Sequence, residues 1–529
     1  MAASTLSRRS FVGLAGATAA TALLARFGIV GDIEFANADE TTFTYAIAGD
    51  PGSNVNPVTT SDRFGLMTLK LLFAQLFTYR ADGVHFYLAT GYDESEDHLE
   101  FTFHLREGVT WSDGEPVTAD DVVFSYETIR ETPVADAYSS LNYGDQGKVL
   151  VEAIDDLTVK FTFPFVIAAA LEQLQGPDGV YIFPRHIYEG IEDYENTDVN
   201  KNPVGCGAYI LDDYQAGSYI AFRANENYFD GVPGPSYVVY QIITNENSGM
   251  QAIQTGAVDA WIATAAQVQQ MQIEANGLTV NPYTEGRVAY IVINTKLVPD
   301  INVRKALFYS LDREQIALAA VLDPNYYDVE YTFLPTNSAY YNADAVEKYE
   351  RNIDKAKELL VEAGQPNPTF VFGYSGTDSL QTNAALMIQR NAKEAGINIE
   401  LRGVESSALS KAMKNADDKE YHITFGGYIM GIDPDSYTPL FASGSPSNYA
   451  HYDNAVLDDL FAQGRIETDI EKRHEIYDAV QAEIADQATH YQLYSNHRLL
   501  ITGLRVKGLE DAKLIPIFTF EDVNKLQIG

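Results

Sequence analysis

Apolar side chains occupy every second position from Leu99 to Leu105, with polar residues between them. This period of two is typical of a strand with one buried face. The same alternation recurs from Val159 to Phe163, and residues 290–294 form a short apolar run. The pattern therefore predicts strands at these three places, the first two of them half-buried.

Helical spacing of apolar residues follows several of these strand signals. Thr118 precedes one such segment and Asp121 stands at its third helical position, as in a capping box. Asp312 and Gln315 repeat that arrangement. Further helices are predicted at residues 303–311, 353–360 and 470–484, with Gly364 as a helix end. Strands that alternate with helices indicate an α/β architecture.

Composition narrows the classes of function. A chain of 529 residues is long enough for about two to four domains. Its formal net charge is −38, so the chain lacks the basic surface that nucleic-acid binding requires. The same negative charge opposes adsorption to anionic membranes. A single cysteine, Cys206, excludes an internal disulfide and a cysteine-rich zinc site. No apolar run after residue 40 is long enough to span a bilayer.

The first residues have the order of an export signal. Arg8 and Arg9 precede an apolar, alanine-rich stretch that runs from Val12 to Leu24, and Ala36-Asn37-Ala38 offers a small-x-small cleavage site. The paired arginines resemble a twin-arginine signal. We therefore expect residues 1–38 to be a signal peptide, and the protein to be exported to the periplasm or to the outer face of the cytoplasmic membrane.

Five motifs give the chain its family resemblance. The longest, residues 99–125, contains the segments TFHLREGV and WSDGEPVTADDVVFS, and the second segment begins with a predicted turn. The others are NPVGCGAY at 202–209, IQTGAVD at 253–259, VRKAL with LDR at 303–313, and AKELL with AG at 356–364. Together they resemble the peptide/nickel-binding family, family 5, of the solute-binding proteins of ABC importers.

The resemblance implies a fold and a way of working. It implies the two-lobed α/β periplasmic-binding-protein fold of type II, cluster C, with an extra domain inserted in the first lobe. The core of the first lobe is expected at residues 41–70, 200–288 and 497–529, the extra domain at 71–199 and the second lobe at 289–496. Such a receptor closes over a small ligand without changing it, so no catalytic activity and no cofactor are expected. It acts as a monomer that delivers the ligand to a membrane permease with ATPase subunits.

The same resemblance indicates where the ligand binds. Residues 425–435 resemble the second-lobe loop that reaches the ligand, although Met430 stands where peptide-binding relatives have an aspartate, and Asp433 is either its substitute or a turn residue. The loop at 374–378 lacks the arginine of dipeptide-binding relatives. Tyrosines in predicted loops are added as candidates for an aromatic cleft lining. The candidate ligand-binding residues are Tyr45, Asn54, Tyr374, Ser375, Gly427, Tyr428, Met430, Asp433 and Tyr449.

Two alternatives stay open at this stage. A metal- or metallophore-binding receptor of the same family would need histidines such as His422, His451 and His474, which no sequence spacing joins into one site. A secreted hydrolase would need an activated nucleophile. Residues 373–377 fail the GxSxG pattern at the last position, and Cys206 lies in a glycine-rich turn.

Overall fold

The computed structural model describes residues 41–80, 82–417 and 419–529. The signal peptide predicted at residues 1–38 lies outside these ranges. Within them, no helix has both the length and the apolar character needed to cross a membrane.

A mixed sheet of twelve strands runs through the molecule. Two of its strands, Leu278–Thr284 and Tyr327–Val329, pair with His490–Gly503 beside the main path. The other ten lie in the order Asn398–Val404, Thr369–Ser375, Ile423–Tyr428, Val288–Ile293, His490–Gly503, Ala260–Ala263, Thr42–Ile47, Tyr237–Ile242, Tyr219–Ala224 and Tyr209–Gln215.

The 14-residue strand His490–Gly503 joins the two halves of this sheet. Its beginning pairs with Val288–Ile293, and its end pairs with Leu278–Thr284 and with Ala260–Ala263. The chain crosses between the halves a second time at residues 285–287, where Gly286 has a φ of +67°. Two adjacent connections of this kind restrict the halves to a hinge-like relative motion.

Each half has its own hydrophobic core. One core contains Phe43, Phe103 and Leu526, and the other contains Ile291, Phe372 and Tyr491. We call residues 41–284 and 499–529 the first lobe, and residues 288–494 the second lobe.

Within the first lobe, a separate antiparallel sheet lies between residues 89 and 162. Its strands, in order, are Ala89–Glu94, Glu100–Leu105, Thr158–Thr162 and Leu150–Asp155. Phe101, Phe103 and Leu105 are buried, as the alternation predicts. Their side chains join the same core as Phe43 of the large sheet, so one continuous core links the two sheets.

The predicted helix ends are found where the capping residues place them. Thr118 and Asp121 form the capping box of Ala119–Glu131, and Asp312 caps Arg313–Val321 by accepting from the Gln315 N–H. Gly364, with φ +68°, follows the end of Ile353–Glu362. The other α-helices are Arg63–Leu72, Tyr138–Leu141, Ala170–Gln175, Arg185–Tyr188, Glu246–Gln254, Ala265–Gln270, Ile301–Ser310, Ser379–Glu394, Ser406–Lys414, Thr438–Phe441, Ala455–Ile466, Ile470–Gln487 and Leu509–Ala512.

Short elements complete the fold. Three small two-stranded sheets pair Phe77–Arg80 with Gly83–Phe86, Val506–Lys507 with Gln527–Ile528, and Leu514–Ile515 with Thr519–Phe520. The 3-10 helices are Gly144–Gln146, Asp198–Lys201, Glu274–Asn276, Pro324–Tyr326, Pro434–Tyr437 and Val523–Lys525.

The glycines of the 202–209 motif have a packing role. The Gly207 N–H donates to the Leu72 carbonyl at 2.9 Å, so the two backbones touch. A Cβ on Gly207 would collide with the Leu71 carbonyl oxygen and lie 2.6 Å from the Leu72 carbonyl carbon. A Cβ on Gly205 would also collide with the Leu72 carbonyl. The motif therefore holds the loop against the end of helix Arg63–Leu72.

Candidate functional site

A cavity of about 680 Å³ lies between the two lobes. The hairpin that begins with strand Phe77–Arg80 and the segment 167–179 form its first-lobe wall, together with residues 516–518. The link at 285–286 forms part of the boundary. The second lobe contributes residues from the segments 335–340, 429–437 and 467–474. A volume of this size lies within the range of roughly 300–1,000 Å³ that is usual for small-ligand sites.

Direct hydrogen bonds join the lobes beside this cavity. The Ala168 N–H of the first lobe donates to the Arg465 carbonyl of the second lobe at 2.8 Å. Glu172, on helix Ala170–Gln175, accepts from the Asp433 N–H at 2.9 Å and from the Ser436 hydroxyl at 3.0 Å. The cleft is therefore closed along this side.

Asp433 is held by an arginine of its own lobe. Two bonds join Arg473 to its carboxylate, Nη1 to Oδ2 at 2.5 Å and Nη2 to Oδ1 at 2.7 Å. The side chains are 6% and 8% exposed, and Arg473 Nε also donates to the Gly464 carbonyl at 2.8 Å. The Asp433 carboxylate also accepts from the Asp435 N–H at 2.9 Å, which caps the 3-10 helix Pro434–Tyr437. The charge of Asp433 is thus neutralised within the protein.

The carboxyl group of Glu172 has an unusual proton affinity. Burial, with a further contribution from the neighbouring Asp433 carboxylate, raises the pKa of Glu172 to about 8. The hydrogen bonds from Ser436 and Asp433, and the charge of Arg473, act in the opposite direction on that pKa. Near neutral pH, the contact between the lobes therefore favours a protonated Glu172.

This proton makes the stability of the folded protein depend on pH. In the unfolded chain the pKa of a glutamate is about 4.3, so between about pH 4.3 and pH 8 the folded protein binds the extra proton at Glu172. The stabilisation from this group is complete below about pH 4.3 and is lost as the pH rises through about 8. We expect Glu172→Gln to remove a slope of up to about 1.4 kcal/mol per pH unit over this interval.

Urea denaturation from pH 5 to pH 9 would measure this effect as the difference between wild type and variant. Glu96→Gln, at an exposed residue, provides the matched control and should keep the wild-type pH profile. Identical dependence of stability on pH for wild type and Glu172→Gln would contradict the raised pKa of Glu172.

A basic corner forms another part of the cavity wall. Lys70 and Arg80 both pair with Glu521, and Lys70 Nζ lies 3.1 Å from Glu521 Oε1. Tyr87 Oη also donates to Glu521, at 2.7 Å. Burial, reinforced by the charge of Arg80, lowers the pKa of Lys70 to about 7. Both cations therefore already have a carboxylate partner.

The structure places the nine predicted residues in different surroundings. Met430 and Asp433 line the interlobe cavity. Tyr428 and Tyr449 lie together, with ring centroids 6.0 Å apart. Asn54 is exposed in a loop.

The other four lie in strands, and so does Tyr428. The expectation that Tyr45, Tyr374 and Tyr428 lie in loops is wrong, because they belong to strands Thr42–Ile47, Thr369–Ser375 and Ile423–Tyr428. Tyr45 Oη lies 3.0 Å from Thr519 Oγ1 in the first core. Ser375 ends the same strand as Tyr374, and Gly427 lies in Ile423–Tyr428.

Several cavity residues escape the sequence pattern. Glu172, Tyr79 and Asp178 have no motif around them, and only the fold brings them to the cleft. Arg473, in contrast, could have been recognised from the sequence. It lies on the buried face of helix Ile470–Gln487 with Tyr477 and Val480, and a basic residue on such a face indicates a buried partner.

The residues invoked by the two alternatives lie apart. His474 lines the cavity and stacks on Tyr340 with ring centroids 4.4 Å apart, whereas His422 and His451 line a smaller cavity. In the ranges that the structure describes, no three His, Cys, Asp or Glu side chains are grouped as metal ligands. Burial raises the pKa of the Cys206 thiol to about 12, so that thiol is protonated and not nucleophilic at neutral pH.

Two lobes, a double crossover and a cavity between the lobes define a ligand receptor of the two-lobed type II binding-protein fold. The chain belongs to the bacterial extracellular solute-binding proteins, family 5, whose family model matches residues 83–449. This family consists of binding proteins rather than enzymes.

The relatives agree with this assignment. The chain is 27% identical over 449 residues to the oligopeptide-binding protein AppA of Bacillus subtilis, covering 79% of each protein. It is 34% identical to the ABC transporter substrate binding protein CtaP of Listeria monocytogenes, with a TM-score of 0.87 over 93% of this chain and 99% of the other. A putative peptide binding protein AppA of Clostridium difficile shows 30% identity and a TM-score of 0.85, over 92% and 100% of the two chains.

Proposed function

We propose that this protein is an exported receptor that captures a peptide or peptide-like solute and delivers it to an ABC permease. The observation that carries the proposal is the cavity of about 680 Å³ between the lobes. Two of the relatives described above are named as binding oligopeptides or peptides. The cavity wall combines apolar side chains such as Phe101 and Met430 with polar ones such as Tyr79, which suits a ligand with both amide and apolar groups.

Closure supplies the mechanism. In the open form the ligand meets one lobe, and rotation at residues 285–287 and 495–498 brings the other lobe over it. The hydrogen bonds of Ala168 and Glu172 to the second lobe then form. Exclusion of water strengthens each polar contact with the ligand. The closed monomer would present both lobes to the permease, whose ATPase subunits drive import.

The proposal includes the remaining sequence predictions. It takes residues 1–38 as the twin-arginine signal and residues 71–199 as the extra domain. The separate sheet at residues 89–162 supports that division of the first lobe. Among the nine predicted residues, Met430 and Asp433 have the position that best suits a ligand-binding role, since both line the cavity.

Mass spectrometry of small molecules released from the purified protein tests the proposal. We expect peptides in the released fraction, and we expect small-angle scattering to show a smaller radius of gyration after peptide is added back to stripped protein. Release of a chemically altered peptide, or no change in dimensions with a bound ligand, would overturn the mechanism.

A variant that fills the cavity gives a second measurement. Ala339 lines the cavity and is exposed to it, so Ala339→Trp is expected to weaken peptide binding by about tenfold or more without disturbing a core. Val134→Trp is the matched control, because Val134 is 70% exposed and lies outside the cavity lining. Equal peptide affinity for the two variants, measured by calorimetry, would place the ligand elsewhere.

A further inference from the structure

The charges around the interlobe cavity do not balance. Its lining contains six carboxylates and three bases, histidines apart. The bases are all paired: Arg473 with Asp433, and both Lys70 and Arg80 with Glu521. Every base of the lining therefore has an ion-pair partner among the residues that the structure describes, although Lys70 and Arg80 share one carboxylate.

The carboxylates are only partly paired. Glu285 lies 2.7 Å from Arg63, and Glu94 lies 2.5 Å from His98. Asp433 is bound by Arg473. The other three, within the described part of the chain, have no ion-pair partner. They are Glu172, Asp178 and Glu467.

Asp178 is the one of these three whose hydrogen-bond partner is another carboxyl group. Glu172 is occupied by its hydrogen bonds to the second lobe, and Glu467 accepts from the Asp469 N–H at 2.8 Å. Asp178 is half-buried, and its carboxyl group shares a hydrogen bond with the carboxyl group of Asp136. Burial and the charge of Asp136 raise the pKa of Asp178 to about 7, so an arriving cation would relieve both unfavourable effects.

A second observation points to a ligand at the same wall. Thr78 lines the cavity and is 3% exposed, and its hydroxyl has no hydrogen-bond partner among the described residues. Buried polar atoms are rarely left unsatisfied in native proteins, so an unpartnered hydroxyl on a cavity wall suggests that the ligand completes its hydrogen bonding.

We propose that the cavity selects ligands that carry a positively charged side chain, an ammonium or a guanidinium group, and that Asp178 is the carboxylate that binds this charge. An ammonium has three donors and a guanidinium five, which suits a carboxylate with hydroxyl groups nearby. The net charge of −38 favours the approach of cations to the cleft. This inference rests on the proposed function and adds the chemical class of the ligand.

Calorimetry with matched tripeptides tests it. At about pH 8, where Asp178 is mostly ionised, we expect Ala-Lys-Ala to bind about tenfold or more tightly than Ala-Ala-Ala, and Ala-Glu-Ala to bind more weakly than both. Asp178→Asn should reduce the preference for lysine to about twofold or less. Asp145→Asn removes one exposed charge outside the lining and should keep the full preference.

The outcomes separate this inference from the proposed function. Equal affinity of wild type for Ala-Lys-Ala and Ala-Ala-Ala would overturn the cation selectivity while leaving peptide binding intact. A preference that survives in Asp178→Asn would overturn the role of Asp178. Spermidine serves as a cation that is not a peptide. If it binds and no peptide does, the charge preference stands and the peptide proposal falls, whereas binding of neither would overturn both.

Discussion

Replacement of Arg473 by alanine is expected to destabilise the second lobe by about 3–5 kcal/mol. The guanidinium makes two hydrogen bonds to Asp433 in a site where the two side chains are 6% and 8% exposed. Its removal leaves a buried carboxylate with no cation, and the loss of an ion-pair partner is costly at such a site. The Gly464 carbonyl would also lose its donor, and the ring faces of Tyr340 and Tyr477 would lose a cation at about 5 Å.

Urea denaturation followed by far-ultraviolet circular dichroism would measure this loss. Tryptophan fluorescence is less suitable, because Trp111 and Trp261 both lie in the first lobe. Lys472→Ala is the matched control on the same helix, since the Lys472 side chain is 66% exposed, and its effect should stay below about 0.5 kcal/mol. An Arg473→Ala protein within about 1 kcal/mol of wild type would show that the pair contributes little.

Gly207→Ala is expected to lower the free energy of unfolding by about 3 kcal/mol or more. The added methyl would collide with the Leu71 carbonyl oxygen and lie 2.6 Å from the Leu72 carbonyl carbon. Both are backbone atoms, so they cannot turn away as a side chain does. The loop would have to move from the helix end, and the hydrogen bond from the Gly207 N–H to the Leu72 carbonyl would be broken.

Thermal and urea denaturation of Gly207→Ala should both show this destabilisation, with tryptophan fluorescence as the probe because the damage lies in the first lobe. The control is Gly91→Ala, because a Cβ on Gly91 meets no atom within 4 Å and its φ is not positive. We expect the control to change stability by less than about 1 kcal/mol. Equal stability of the two variants would show that the backbone contact at Gly207 is not needed.

Local features of the fold could be predicted from the sequence. The alternation from Leu99 to Leu105 is found as strand Glu100–Leu105, and Thr118 begins a helix with the predicted capping box. Gly364 takes the positive φ of a helix end. These features depend on neighbours within about four residues, where side-chain spacing and backbone preference act directly. The family motifs extended the prediction to the two-lobed architecture.

The site was harder to predict because its contacts are distant in sequence. Asp433 meets an arginine 40 residues away and a glutamate 261 residues away. The periodic pattern of apolar and polar residues along the chain does not predict contacts between residues so far apart in sequence. Asp433 stands before Pro434, and the sequence left open whether it substitutes for a ligand-binding aspartate or forms a turn. In the structure it caps a 3-10 helix and pairs with Arg473, as a turn residue does, and because it also lines the cavity its ligand-binding role stays a prediction.

Strand His490–Gly503 has a consequence for engineering this molecule. Its second part is sandwiched between Leu278–Thr284 and Ala260–Ala263, so it fills an interior place in a sheet whose other members come from far earlier in the chain. The second lobe is one contiguous piece, residues 288–494, whereas the first lobe cannot be cut out as one piece because the end of this strand belongs to it. A chimera that exchanges halves between two such receptors must therefore keep both junctions from the same parent.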